Sequence, residues 1–489
     1  MKTLITLIFI IVLSGIVNAQ WEADVRMTNN TAISRTSSNN AWCIASNGNV
    51  VHIVYFDART GSTDIYYKRS IDGGVNWEND INLTNSSSNS SAVAPSIALN
   101  GTSVHLVWRD SRDGPNGEIY YKRSIDNGVT WDADIRLTNN SELSWQPTIC
   151  VSGLNLHVVW YDNRDGVSQV YYKRSIDGGL NWEADVRLTS HSYNETNPSV
   201  CVSGTNVHVV WYDNQNGITK IYYKRSMDGG LTWSSDYLLS NAGDFPTIAV
   251  SGSKVYAAWN GANSIQYRKS LDGGISWNTE SILTNAPNLG VPNPNICFNG
   301  SFVHIVWKDN RNGNYEIYYK KSRNEGLTWE ADTRLTNALD ESRNAFVAAS
   351  NSKVHVVWQD SRDGNQEIYY KRDSTGNSTG IHNLNKGIPD KYKLYQNYPN
   401  PFNPTTKIRF SIPMRSPIET FGDDRVVLNV YDILGKEVAI LVNERLNPGT
   451  YEVEWNARLG GSTTFPSGVY FYRLTTEGFS ETKKMVLIK

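Results

Sequence analysis

A repeat restricts the fold more than any other feature of this chain. Trp21, Trp77, Trp131, Trp182, Trp233, Trp277 and Trp329 recur at intervals of 44 to 56 residues, a period typical of solenoids, propellers and arrays. Each unit holds four short segments, exemplified by "PTICV", "VHLVW", "IYYKRS" and "WEADVRLT". All are rich in β-branched and aromatic residues and bounded by Gly, Asn, Asp, Ser and Pro, as strands are. Four strands per unit predict propeller blades. The second segment counts seven of them, with His52, His105, His157, His208, Tyr256, His304 and His355 at one position.

The two ends of the repeat are complementary. An orphan fourth segment, "WEADVRMT" at Trp21 to Thr28, precedes the first unit, while the seventh stops after "EIYYKRDS". The expectation is an all-β, seven-bladed β-propeller over residues 20–373, closed by its N-terminal strand, which removes the open sheet edges. The composition shifts after residue 373. Residues 374–390 read as a flexible linker rich in Ser, Gly and Asn. Residues 391–489 alternate apolar and polar positions and are punctuated by Pro448, Gly449, Ser467 and Gly468, which predicts a small β-sandwich.

Composition excludes some partners. With 39% hydrophobic and 19% charged residues and a formal net charge of −2 over 489 residues, the chain has an ordinary soluble make-up. It has no basic run to recruit nucleic acid or an anionic membrane surface. Lys2, the apolar stretch Leu4 to Val17 and the small residues Val17 and Ala19 mark residues 1–19 as a removable secretory signal. No integral membrane span is expected after its removal. Export permits disulfides, but Cys43, Cys150, Cys201 and Cys297 read as one repeat position that elsewhere carries Ala98, Ala249 and Ala348. A position that accepts Cys or Ala is a small packing position, so free thiols are expected, with Cys150 to Cys201 pairing as the less favoured alternative.

The most regular motif is SxDxGxxW. Its copies are Ser70, Asp72, Gly74 and Trp77; Ser124, Asp126, Gly128 and Trp131; Ser175, Asp177, Gly179 and Trp182; Ser226, Asp228, Gly230 and Trp233; and Ser270, Asp272, Gly274 and Trp277. A sixth keeps Ser322, Gly326 and Trp329 but has Asn324 for the aspartate. Ser and Asp side chains accept hydrogen bonds from nearby amides, Gly tolerates positive φ, and the indole can lock the turn to the blade. No nucleophile stands beside a base. These copies resemble the Asp-box, or BNR, repeats of sialidase-like propellers, and the resemblance covers nearly all of residues 21–373. It implies a structural turn between third and fourth strands, on the face opposite an active site.

The resemblance also implies what a sialidase needs: three arginines on the substrate carboxylate, a Tyr and Glu nucleophile pair, an Asp acid/base, and an Arg-Ile-Pro stretch before the first box. This chain lacks Arg-Ile-Pro and counts seven blades where sialidases have six, so no catalytic residue is carried over. Arg59, Arg112, Arg164, Arg311 and Arg362 recur after the second strand and could ring an acidic sugar. Because nearly every blade has one, pairing with the local Asp57, Asp110, Asp162, Asp309 and Asp360 is the favoured reading. The histidines at the strand position point around a ring, too dispersed to share one metal ion, and no cofactor is implied.

Function should sit where the repeat breaks. Thirteen of sixteen tryptophans are fixed by the repeat, and Trp42, Trp145 and Trp455 are not. Trp145 follows Glu142 in the inter-blade loop "NNSELSWQP", and the next such loop, "SHSYNETNP", carries His191, Tyr193 and Glu195. These five are the candidate ligand-binding residues for a glycan or a surface protein. The expected activity is binding without catalysis. The alternative is a glycoside hydrolase of sialidase-like fold, with Glu142 and Glu195 as the acid/base pair.

The tail carries a second resemblance. "YQNYPNPFNPTTKIRFSIP", "DILGKEV", "LNPGTYEVEWNA", "SGVYFYRL" and "TKKMVLIK" resemble the type A C-terminal sorting domain of type IX secretion substrates. The matching positions are Tyr398 to Pro404, Gly435, Gly449 and Lys483 to Lys489. The resemblance implies export through the periplasm to the cell surface or beyond, with the secretion machinery as partner.

Overall fold

The computed structural model describes residues 21–39, 42–85, 91–261, 264–284, 292–374, 382–385, 389–413, 424–446, 448–457 and 465–488. The signal-peptide assignment to residues 1–19 lies outside them. Seven antiparallel sheets occupy the first part of the chain. Blades 1 to 6 span residues 34–82, 92–136, 144–187, 194–240, 244–282 and 295–334, and blade 7 spans 342–373. Blade 3 shows the plan: Ser144–Ser152, Asn155–Asp162, Gln169–Ser175 and Val186–Arg187 pair in that order. First strands of neighbouring blades touch one another, so they line the ring axis. Blade 7 takes its fourth strand from the other end of the chain: Val25 lies opposite Tyr370, and Arg26 opposite Tyr369.

The second strands are buried on both faces between neighbouring blades, which explains their continuous apolar runs. Trp108, Trp160, Trp211, Trp259, Trp307 and Trp358 at their ends are fully buried, and blade 1 has Tyr55 there. The repeated histidines do not meet one another. His52, His105, His157, His208, His304 and His355 each place Nδ1 2.6–2.8 Å from a tyrosine hydroxyl on the third strand of the same blade.

The Asp-box turn has the geometry its residue types allow. In blade 2, Ser124 Oγ accepts from Gly128 N at 2.8 Å, and Asp126 Oδ1 accepts from Val129 N at 3.0 Å and Thr130 N at 2.9 Å. Half-buried Trp131 meets Tyr67 of blade 1 edge-on, centroids 5.0 Å apart. Gly128 needs to be glycine: its φ is +80°, and a Cβ would sit 1.9 Å from the Tyr67 hydroxyl. Each turn therefore fastens its blade to the preceding one. Blade 7 lacks a box, yet Trp21 meets Tyr319 of blade 6 edge-on at 4.9 Å, as the box tryptophans do elsewhere.

Two sequence readings need correction. Cys43 is not equivalent to the other cysteines: Cys150, Cys201 and Cys297 face the repeated histidines, and in blade 1 that partner is Ala45. The cause is an excursion in the first strand, where pairing jumps from Arg35–Phe56 to Ile44–Ile53. Among the other blades, blade 3 needs only the two residues between Trp145 and Thr148 there. All four thiols are free. The stretch read as a linker contains a strand, His382–Asn385, which pairs with Gly449–Asn456, because that strand would otherwise leave its second edge unpaired. The C-terminal unit consists of two four-stranded sheets around a shared apolar core that includes Phe402, Ile408, Leu428, Trp455, Tyr472 and Met485.

Candidate functional site

The recurrent arginines are consumed by their own blades. Arg164 Nη2 lies 2.7 Å from Asp162 Oδ2, Nη1 lies 2.8 Å from Asp185 Oδ2, and the guanidinium stacks 4.4 Å above the Tyr171 ring. Arg59, Arg112, Arg311 and Arg362 repeat this arrangement in blades 1, 2, 6 and 7. They are structural clamps, and none is free to hold a ligand.

The face opposite the Asp boxes is built from the second-to-third-strand loops and the links between blades. There one position varies from blade to blade, the residue before the aspartate that ends the second strand or, in blade 5, before Gly261: Phe56, Arg109, Tyr161, Tyr212, Asn260, Lys308 and Gln359. Trp145, singled out from the sequence, is half-buried and lies under the Arg109 guanidinium, whose Cζ is 4.4 Å from the ring. Arg109 is 8% exposed; Nη2 donates to Pro115 O at 3.0 Å while Nε has no acceptor among the described residues. Gly117 makes room for it, since a Cβ there would sit 2.2 Å from Arg109 Nε. Half-buried Tyr161 and Tyr212 continue the arc through blades 3 and 4, and Phe245 of blade 5 lies 6.0 Å from the Tyr212 ring. Burial, reinforced by the neighbouring Tyr212, pushes the Tyr161 hydroxyl up to about 12.

A second cationic group stands on blades 6 and 7. Lys308 Nζ and Arg343 Cζ lie 5.2 and 4.6 Å from the same Tyr315 ring. Arg343 pairs with Glu341 at 2.5 Å, but its Nε is buried without an acceptor among the described residues. Lys308 is 9% exposed; burial, with help from the Arg343 charge, pushes its ammonium down to about 8. Among the described residues no carboxylate forms an ion pair with Arg109 or Lys308. A buried cation held in no direct ion pair is costly, and both stand beside aromatic faces that partly offset that cost.

The remaining sequence candidates separate. Glu195 is fully buried at the start of the blade 4 first strand, with Oε1 2.5 Å from His191 Nδ1, and burial raises its carboxyl. His191 Nε2 is 3.6 Å from Asp236, and its ring lies 5.9 Å from Tyr222. Glu142 is exposed, and its backbone N donates to Asn140 Oδ1. Tyr193 is half-buried and its carbonyl accepts from Gln169 Nε2 at 3.4 Å. Trp42, delivered by the blade 1 excursion, lines an axial cavity of about 240 Å³ with Ile97, Ile149, Cys150, Cys297 and Val347. Sequence reasoning missed Arg109, Lys308, Arg343 and Tyr315. Aligning the blades at the variable position before the aspartate would have found the first two.

In the C-terminal unit, Asn397 organises the "NPF" turn: its N donates to Tyr472 Oη at 2.8 Å, and Nδ2 donates to Pro399 O and Thr406 Oγ1. Phe402 is buried against Trp455, whereas Tyr398 is 80% exposed. Gly435, at φ +80°, closes a turn on Asp432 that exposes Ile433 and Leu434.

Residues 396–489 match the family described as secretion system C-terminal sorting domain. No curated protein matches the chain. Solved structures similar to it include an ulvan lyase from a polysaccharide lyase family, at 10% identity, covering 69% of this chain and 94% of that one with a TM-score of 0.48. The polysaccharide lyase Uly1 is 10% identical, covering 72% and 99%, with a TM-score of 0.48. A Trypanosoma rangeli sialidase in complex with 2,3-difluorosialic acid is 10% identical, covering 94% and 88%, with a TM-score of 0.45. Scores at this level carry no information on activity.

Proposed function

We propose that this chain, which carries a sorting domain and is exported to the cell surface or released, binds an acidic glycan on the face opposite its Asp boxes, without catalysis. One observation carries the reading: the aromatic arc Trp145, Tyr161, Tyr212 and Phe245 is accompanied by cations that form no ion pair with a carboxylate among the described residues, Arg109 at its end and Lys308 on blade 6. Aromatic faces stack on sugar rings, and a carboxylate or sulfate would supply the missing counter-charge. The clamp arginines show the contrast, since each already holds two aspartates. A glycan array tests the reading. Wild type should retain uronic or sulfated glycans and not neutral ones, and Trp145→Ala should lose them. Equal retention of neutral and acidic glycans would refute it.

Glu195 favours a second reading, a glycoside hydrolase. Its carboxyl is buried, raised by that burial and bonded to His191, an environment of the kind that suits a carboxyl to proton donation. Turnover of fluorogenic glycosides that disappears in Glu195→Gln would establish this alternative and displace binding alone.

A further inference from the structure

One side chain closes the ring axis. The excursion that follows Arg35 in blade 1 carries Trp42 across the ring. Its carbonyl accepts from Ile97 N of blade 2 at 2.9 Å, and its side chain packs on the blade 4 and 5 core that contains Cys201, Val210 and Ile248. The axial cavity of about 240 Å³ therefore has Trp42 as its floor and takes its walls from blades 1, 2, 3, 6 and 7, the indole covering blades 4 and 5. Burial shows which way the cavity opens. Ile44, Ile97, Ile149 and Val347 are fully buried, whereas two positions further along the same strands Ser46, Leu99, Val151 and Ala349 are half-buried. Those strands lead into the hairpins that adjoin the Asp boxes: in blade 3, Gly178 N of the box donates to Leu154 O of the hairpin at 2.9 Å. The cavity is thus a blind cup whose mouth lies on the Asp-box face.

Its lining is neutral. Among the described residues no charged or amide side chain contributes to it. Between floor and mouth, the wall position opposite the repeated histidine is small in each contributing blade: Ala45, Ala98, Cys150, Cys297 and Ala348. Near the floor the backbone amides on the inner strand edges are already satisfied, Ile97 N by Trp42 O, Ile149 N by Ser96 Oγ at 3.3 Å and Val347 N by Asn295 Oδ1 at 3.0 Å. Water there would find few partners, and a cavity of that kind is dry or holds an apolar guest. At the mouth one side-chain group is left over: Ser46 Oγ is buried and has no hydrogen-bond partner among the described residues.

We propose that this cup binds a small neutral aromatic molecule with a single hydrogen-bonding group, of the phenol or indole class, its ring on Trp42 and its polar end beside Ser46. The volume suits such a guest, since an apolar cavity of about 150 Å³ accepts benzene. Burial of the ring and its contact with the indole supply the attraction. A charged ligand is rejected, because its charge would be buried without a partner. The cup opens away from the cationic face proposed for glycans and selects the opposite chemistry.

Calorimetric titration of the full chain with p-cresol and with 4-hydroxybenzoate, a similar ring carrying a carboxylate, tests the proposal. p-Cresol should bind and 4-hydroxybenzoate should not. Ala349→Leu and Ser46→Leu each place at the mouth the residue that blade 2 carries there as Leu99, so the fold accommodates them. Each should retain the wild-type melting transition and abolish p-cresol binding by filling the cup. Ser46→Ala removes only the hydroxyl and should weaken p-cresol while leaving toluene binding unchanged. Absence of p-cresol binding to wild type, equal binding of the carboxylate, a folded leucine variant that binds as wild type does, or a Ser46→Ala variant with unchanged p-cresol affinity would each overturn the proposal.

Discussion

Gly178 and Gly179 are neighbours in the blade 3 Asp-box turn, and they allow the inter-blade fastener to be measured against an internal control. Both have positive φ, +73° and +86°, so alanine at either position incurs a left-handed backbone cost of about 1–2 kcal/mol. They differ in what a Cβ would meet. At Gly178 the nearest atom is Leu154 Cδ2 at 3.4 Å, ordinary contact, while at Gly179 it is the Tyr121 hydroxyl at 2.0 Å, with ring carbons at 2.5 and 2.8 Å. Tyr121 cannot yield without losing its 2.8 Å bond to His105 and its edge-on contact with Trp182. Overpacking costs about 1–3 kcal/mol and the buried hydrogen bond about 1 kcal/mol. Gly179→Ala should therefore destabilise the propeller by about 2–4 kcal/mol more than Gly178→Ala in urea unfolding. Equal losses in the two variants would show that the turn is merely a turn and that the Tyr–Gly contact fastens nothing.

Further tests address charge and closure. Burial lowers His52 and His355 to about 3, and His105, His157 and His208 to about 4. Because these folded values lie below the unfolded value of about 6.5, the stabilisation is present above pH 6.5 and is lost as pH falls towards the folded values. Each such proton contributes about 1.4 kcal/mol per pH unit, so the melting temperature should fall steeply between about pH 6 and pH 4; a flat profile would contradict neutral burial of the histidines. Asp213 has the opposite sign: burial raises its carboxyl, so its contribution is favourable at low pH and lost as pH rises through the folded value. Asp213→Asn should accordingly stabilise the free protein at pH 7.5 and give no gain below the unfolded aspartate value of about 3.9, as thermal melts at the two pH values would reveal. Deleting residues 21–28 removes the Trp21–Tyr319 contact and the Asp24 carboxylate that pairs with Arg362 and Lys371. The expected loss is on the order of 5 kcal/mol, and unchanged unfolding would refute closure by the N-terminal strand.

The blade architecture is readable in the sequence because repetition imposes the same packing problem on every unit. The Ser, Asp and Gly of the box announce a turn, and the orphan "WEADVRMT" announces its missing partner. The site is less readable, since it depends on which variable residues meet across a blade boundary. Arg109 and Trp145 are thirty-six positions apart in the chain and stack only because blades 2 and 3 are adjacent. The excursion before Ile44 hides the true register of blade 1, which is why Cys43 looks equivalent to Cys150. The loss of the clamp arginine in blade 4 is visible as "DNQNG", but that Lys220 lies opposite Asp213 there emerges only from the strand register.

The affinity of the full chain for an acidic polysaccharide such as polygalacturonate, measured against salt concentration, tests the proposed function most directly. Wild type should bind with an affinity that falls as salt rises, because charged contacts are screened. Arg109→Gln with Lys308→Gln should bind about ten-fold or more weakly and lose much of that salt dependence. If the double variant binds as wild type does with the same salt slope, Arg109 and Lys308 are not a ligand site and the glycan reading fails.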